Sequence, residues 1–190
     1  MNTLRYIIYL VLTAGLITAL LASARDTNAP KETLSAYGFF KGNMAEQIPV
    51  DGIMPYQLNT PLFSDYAEKL RFIQLPPDSA ITYDSLNVMH FPVGATLIKT
   101  FYYPHDMRHP EKGRRLMETR LLVHNAGGWN AWVYIWNEEQ TEAYLEVAGD
   151  RKPVRFTGHN GRTVAFDYII PNLNQCKGCH NTNEVMTPIG

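Results

Sequence analysis

The chain has 190 residues with a formal net charge of -1, and 45% of its residues are hydrophobic against 18% charged. That balance is globular rather than disordered. There is no basic block, which argues against nucleic acid as a partner. The 12 prolines and 13 glycines are spread along the chain and argue against an all-helical fold.

Residues 1–24 have the order of a secretory signal. Arg5 supplies a positive start, Tyr6 to Leu21 is almost entirely apolar, and Ala22-Ser23-Ala24 offers small residues at a cleavage site. An uncleaved membrane anchor is the alternative, although the apolar run is shorter than the roughly 20 residues of a full span. The expected location is therefore the periplasm, with membrane attachment only if this segment stays uncleaved.

Residues 25–68 are expected to be irregular and to pack on the core. Asn28-Ala29-Pro30, Gln47-Ile48-Pro49, Asp51-Gly52 and Met54-Pro55 interrupt any regular pattern. A short helix with Thr33 as cap is expected over Leu34 to Tyr37. Residues 69–170 read as a β domain. Candidate strands are Leu70 to Leu75, Val88 to Phe91, Thr96 to Tyr103, Arg115 to His124, Trp129 to Trp136, Ala143 to Val147, Val154 to Thr157 and Thr163 to Ile170. Asn160-Gly161 is a tight-hairpin signal because both residues tolerate positive φ. The fold class is thus mainly β, a sandwich or a jelly-roll-like pair of sheets. It is followed over residues 171–190 by a short helical segment capped by Asn172.

That last segment contains the two cysteines of the chain, Cys176-Lys177-Gly178-Cys179-His180. Cys-x-x-Cys-His is the attachment pattern of c-type haem. Two thiols three positions apart can add to the two vinyl groups of one porphyrin, and the next imidazole can ligate the iron. Three other readings compete. A disulfide between Cys176 and Cys179 would close a very small loop and gain little. A thioredoxin-like pair would need a βαβ context that the sequence lacks. A zinc site would need a fourth ligand. The expected cofactor is haem c, held by Cys176 and Cys179, with His180 as proximal iron ligand. Met186 is a candidate distal ligand, and His90, His105, His109, His124 and His159 are others.

Several blocks resemble one family of exported bacterial proteins, in which a β-rich region precedes a c-type cytochrome segment. They are Tyr56-Gln57-Leu58-Asn59-Thr60-Pro61-Leu62-Phe63-Ser64-Asp65-Tyr66-Ala67, Phe91-Pro92-Val93-Gly94, Leu97-Ile98-Lys99-Thr100-Phe101, Glu118-Thr119-Arg120-Leu121-Leu122, Trp136-Asn137-Glu138-Glu139-Gln140-Thr141-Glu142-Ala143 and Ile170-Pro171-Asn172-Leu173-Asn174-Gln175-Cys176-Lys177-Gly178-Cys179-His180. The resemblance covers about residues 34–190, and related regions are found joined to sugar-dehydrogenase-like domains. It implies haem c binding and electron transfer to or from a periplasmic redox partner, such as a dehydrogenase. It supplies no substrate, and an electron carrier is expected rather than a catalyst. Members of the family continue past this point, so residues 171–190 are expected to be an incomplete cytochrome segment.

Other patterns carry alternatives. Trp132, Tyr134 and Trp136 share one face of a strand and read either as core or as an aromatic platform for carbohydrate. On the second reading the β region is a carbohydrate- or protein-binding module in which haem is secondary. His105-Asp106-Met107-Arg108-His109 lies between Pro104 and Pro110 and is expected to be a loop. Arg114, Arg115, Glu118 and Arg120 alternate on one strand and can pair across a sheet or meet haem propionates. No hydrolase triad, phosphate-binding glycine loop or catalytic carboxylate pair stands out.

Overall fold

The computed structural model describes residues 29–188, and these are mainly β. The proposed signal segment lies outside the described residues. Six strands form one antiparallel sheet in the order of the sequence: β1 Ile53–Pro55, β2 Glu68–Gln74, β3 Thr96–Pro104, β4 Arg114–Asn125, β5 Gly128–Trp136 and β6 Ala143–Glu146. Strands β7 Asp150–Thr157 and β8 Thr163–Ile170 pair with each other as a separate ribbon. Helix α1 Leu173–Cys179 follows, then two short paired strands, β9 Asn181–Thr182 and β10 Val185–Met186.

The sheet is buried on both faces, and β5 shows why its sequence is apolar throughout. Ala131, Val133 and Ile135 join a core cluster with Phe101, Tyr103, Val154, Phe156, Tyr168 and Cys176. The ribbon and α1 therefore cover that face. Trp132, Tyr134 and Trp136 join a second cluster with Leu34, Phe39, Ile53 and Ile98. The chain before β2 therefore covers the opposite face. A strand enclosed on both sides needs apolar residues at every position, not at alternate ones. The aromatic triplet is core: Tyr134 and Trp136 are fully buried. The Trp136 indole donates to Thr119 Oγ1 at 3.0 Å, and the Tyr134 hydroxyl donates to the Lys31 carbonyl at 2.8 Å. Trp132 is half-buried against the same cluster.

Three local expectations are corrected. Val88 to Phe91 forms no strand; its only pairing is an isolated bridge between Thr82 and His90. Pro92 ends the run before a ladder can extend, because it has no N–H to contribute. Thr33 caps no helix. It bridges Tyr144 instead, and a single 3-10 turn over Ser35–Tyr37 follows Leu34. The β7–β8 connection runs from Thr157 to Thr163 with five residues between, so Asn160-Gly161 sits inside a longer loop. Gly161 has φ 76 there, and Asn160 Oδ1 accepts from the Arg162 N–H at 3.0 Å.

Gly149 marks where the chain leaves the sheet for the ribbon. Its φ is 80, and an added Cβ would lie 2.8 Å from the Ile170 carbonyl and 2.9 Å from the Asn172 nitrogen. Only hydrogen fits there, so the exit from β6 lies directly against the start of α1.

Candidate functional site

Helix α1 exists because both ends of its first turn are satisfied. Asn172 Oδ1 accepts from the Gln175 N–H at 3.0 Å, and Gln175 Oε1 accepts from the Asn172 N–H at 2.9 Å. This reciprocal box compensates for a helix of only seven residues, too short to persist alone. Leu173 and Cys176 turn toward the sheet, and Cys176 is 6% exposed within the core cluster. Cys179 is exposed, and both cysteines are free thiols. Burial pushes the Cys176 thiol up, against a smaller opposing effect of Arg120. The thiol is thus held protonated.

His180 closes the helix, its N–H donating to the Cys176 carbonyl at 3.0 Å. The Thr187 N–H donates back to the His180 carbonyl at 3.2 Å, and the Asn181 amide donates to the Lys177 carbonyl at 2.9 Å. His180 Nδ1 is buried and has no hydrogen-bond partner among the described residues. Burial, then the Lys99 charge, lowers the His180 pKa, so the ring is neutral near pH 7. A neutral imidazole is the form that ligates metals.

Met186 lies in the β9–β10 hairpin, opposite Asn181, and packs on the core cluster. The tail therefore folds back beside His180. To serve as a distal ligand, Met186 would have to leave this hairpin. His109 Nδ1 is 3.3 Å from Glu111 Oε1, and the segment from Asp106 to His109 is a turn. No group of three or more His, Cys, Asp or Glu residues that could hold a metal ion occurs among the described residues. The zinc alternative thus has no assembled ligand set there.

Below Cys176 lies a polar cluster on the same sheet face. Glu118 is fully buried and accepts from Arg120 twice, Nε to Oε2 at 2.8 Å and Nη2 to Oε1 at 2.6 Å. The Tyr168 hydroxyl, from the ribbon, donates to the same Oε1 at 2.5 Å. Burial raises the Tyr168 pKa, and the Glu118 charge adds to it. Burial opposes the Arg120 charge, but the Glu118 carboxylate holds it firmly protonated. Met117 is a bulge opposite Phe101 and Tyr102, which lets Met117 and Glu118 both face this core. The sequence expectation for these charges is corrected in detail. Glu118 and Arg120 pair along one strand, Arg115 pairs with Glu138 outside it, and Arg114 donates to the Glu46 carbonyl at 3.0 Å.

A separate cleft of about 770 Å³ is bounded by Leu86, Met89, His90, Phe91, Trp129 and Thr187, among others. His124 also lines it, stacked on Trp129 with centroids 4.6 Å apart. Its Nδ1 donates to the Phe91 and Pro92 carbonyls, each at 3.1 Å. The sequence named His90 and His124 individually but gave no sign that they share one cleft, because the loop connecting them to the tail has no periodicity.

The residues suit a c-type haem in donor set and spacing. Two thiols lie one helical turn apart, and a neutral imidazole with an unpaired ring nitrogen follows. One feature resists it: Cys176 faces the core while Cys179 faces solvent. As they stand, the two thiols do not open on one common exposed surface. No family model matches the chain, and no curated protein and no solved structure is significantly similar to it.

Proposed function

We propose that this chain is an exported c-type haem protein that passes electrons to or from a periplasmic partner. The observation that carries the reading is the conjunction at α1. Cys176 and Cys179 stand at i and i+3, and the helix ends on a histidine whose pKa burial lowers and whose buried Nδ1 has no partner among the described residues. Few other chemistries call for that trio in that order. Cys176 and Cys179 would hold the porphyrin, and His180 would hold its iron. Once bound, the haem supplies a one-electron couple whose potential responds to burial and axial ligation. The chain's own contribution is positional: the capping box at Asn172 orients the thiols, and the Thr187 to His180 bond keeps the tail beside the imidazole. On this reading the fold is a β-sandwich whose second, smaller layer is the β7–β8 ribbon on the six-stranded sheet.

The test is expression alongside cytochrome c ligation machinery, followed by a denaturing gel stained for haem peroxidase activity and an intact-mass measurement. The expected result is a stained band with the mass of one added haem, lost in the Cys176→Ser, Cys179→Ser double variant. A well-expressed chain with neither stain nor added mass would defeat the reading.

A second reading, a carbohydrate-binding module, is favoured by a different place from the one the sequence suggested. The open cleft beside Trp129 and His124 has an aromatic wall. Titration of tryptophan fluorescence with a sugar panel tests it, and a response lost in Trp129→Ala would support it.

A further inference from the structure

Strand register puts three cations side by side on the sheet face below Cys176. Arg71 of β2 pairs with Lys99 of β3, and Lys99 pairs with Arg120 of β4. Like charges directly opposite on one face repel, and proteins ordinarily avoid them. Lys99 Nζ lies 5.0 Å from the Phe101 ring centroid, and Arg120 Cζ lies 4.3 Å from the same centroid. Both charges therefore share one aromatic neighbour in the next row. Arg71 is only 8% exposed.

Among the described residues, the one fully buried carboxylate, Glu118, is already committed. Glu118 receives both Arg120 bonds and the Tyr168 hydroxyl. Among the described residues, neither the Arg71 guanidinium nor the Lys99 ammonium has a hydrogen-bonded or ion-paired partner. Two partly or largely buried positive charges are thus left without a counter-charge, which is a costly arrangement unless an anion completes it.

The neighbourhood indicates what kind of anion. Arg71, the member of the row that reaches it, lines a cleft of about 520 Å³ together with Lys69 and Glu68, beside the stretch of β2 that β1 leaves unpaired. Its rim carries Leu58, Leu62, Phe63 and Tyr66, all exposed, and Phe63 stacks edge-on against Tyr66 at 5.1 Å. The Lys69 ammonium donates to the Leu62 carbonyl at 2.9 Å and ties this rim to the sheet. An apolar rim beside two cations and a single carboxylate fits an organic acid with an apolar body better than a bare inorganic ion. The planar guanidinium of Arg71 suits a carboxylate held by two parallel bonds.

We propose that the Arg71–Lys99–Arg120 row is a binding site for a carboxylate-bearing ligand with an apolar body. Two sources share this chemistry: a free organic acid, or the propionate groups of a haem attached at Cys176 and Cys179. The site stands on the row and the cleft alone and does not depend on the haem reading.

The experiment measures thermal unfolding midpoints of the full chain prepared without haem, in phthalate and in sodium chloride at equal ionic strength. The parent chain should unfold about 3–5 °C higher in ~10 mM phthalate, as expected for a ligand of millimolar affinity. Lys99→Gln and Arg71→Gln should each lose that shift. In chloride alone, Lys99→Gln should match or exceed the parent midpoint, because it relieves repulsion in an empty row. Haem-loaded protein distinguishes the sources: loss of the phthalate shift there assigns the row to propionates, and retention assigns it to a free acid. Equal shifts in parent and variants, or none in the parent, would overturn the site whether or not the chain carries haem. A Lys99→Gln chain that unfolds well below the parent in chloride would also overturn it, since Lys99 would then be a structural charge.

Discussion

Glu118 shows how a single side chain can tie two elements together. It lies on β4, binds Arg120 two residues along, and receives a hydroxyl from Tyr168 on the ribbon. Removing one member of a buried ion pair strands the other, so Glu118→Ala should destabilise the fold by about 3–5 kcal/mol. Urea unfolding of parent and variant measures this. Tyr168→Phe should cost less, about 1–2 kcal/mol, because a single hydrogen bond is lost while the ion pair stays whole. Lys99 gives a pH signature of opposite character. Burial, reinforced by Arg120 and Arg71, lowers its pKa to about 8. The unfolded chain holds that proton up to about 10.4. Between those values the unfolded state binds more protons, so the Lys99 contribution makes stability rise with pH from about 8 to about 10. Unfolding midpoints across this window should climb in the parent and stay flatter in Lys99→Gln. Of this residue-scale picture, the sequence showed the charge alternation on β4. It could not show that Arg71 and Lys99 continue the row, because that follows from register between strands up to fifty residues apart.

At the scale of elements, the long strands were legible and the short ones were not. Strands β3, β4, β5 and β8 carry β-branched and aromatic residues over eight or more positions, and their observed bounds follow the expectation closely. Strand β1 has three residues, one of them Pro55, and was hidden by the Gly and Pro around it. Such a strand is selected by the neighbouring edge of β2 rather than by its own propensity. The opposite error at Val88 to Phe91 has the same cause, since a β-like run forms no ladder where no edge is available. Helix α1 was legible from Asn172 alone, and the reciprocal bond from Gln175 explains why. Asn172→Ala should lower the unfolding free energy by about 1 kcal/mol. Amide exchange at Cys176 to Cys179 should accelerate more than exchange in β4, which would localise the effect to the helix.

Across the whole molecule, the six-stranded sheet is a meander, each strand beside its sequence neighbour. The sequence predicted mainly β architecture and a central strand buried on both sides at β5, but not which segments cover the two faces: the ribbon and α1 on one, coil on the other. The two-sided burial was legible in β5, since an apolar residue at nearly every position leaves no face for water. Ile98, fully buried at the centre of the second core cluster, is the position where a cavity would be felt most widely. Ile98→Ala should cost about 2–5 kcal/mol by calorimetry or urea unfolding.

The crowding at Gly149 has a consequence for the far end of the chain. A methyl group at that position would press on the Ile170 carbonyl and the Asn172 nitrogen, the two groups that set where α1 begins. A Gly149→Ala lesion would therefore be felt some thirty residues downstream, at thiols it never touches. Reaction of Cys176 with a maleimide reagent should quicken in that variant while Cys179 labels at its former rate. Equal labelling of Cys176 in both proteins would mean that the helix start is held by other contacts.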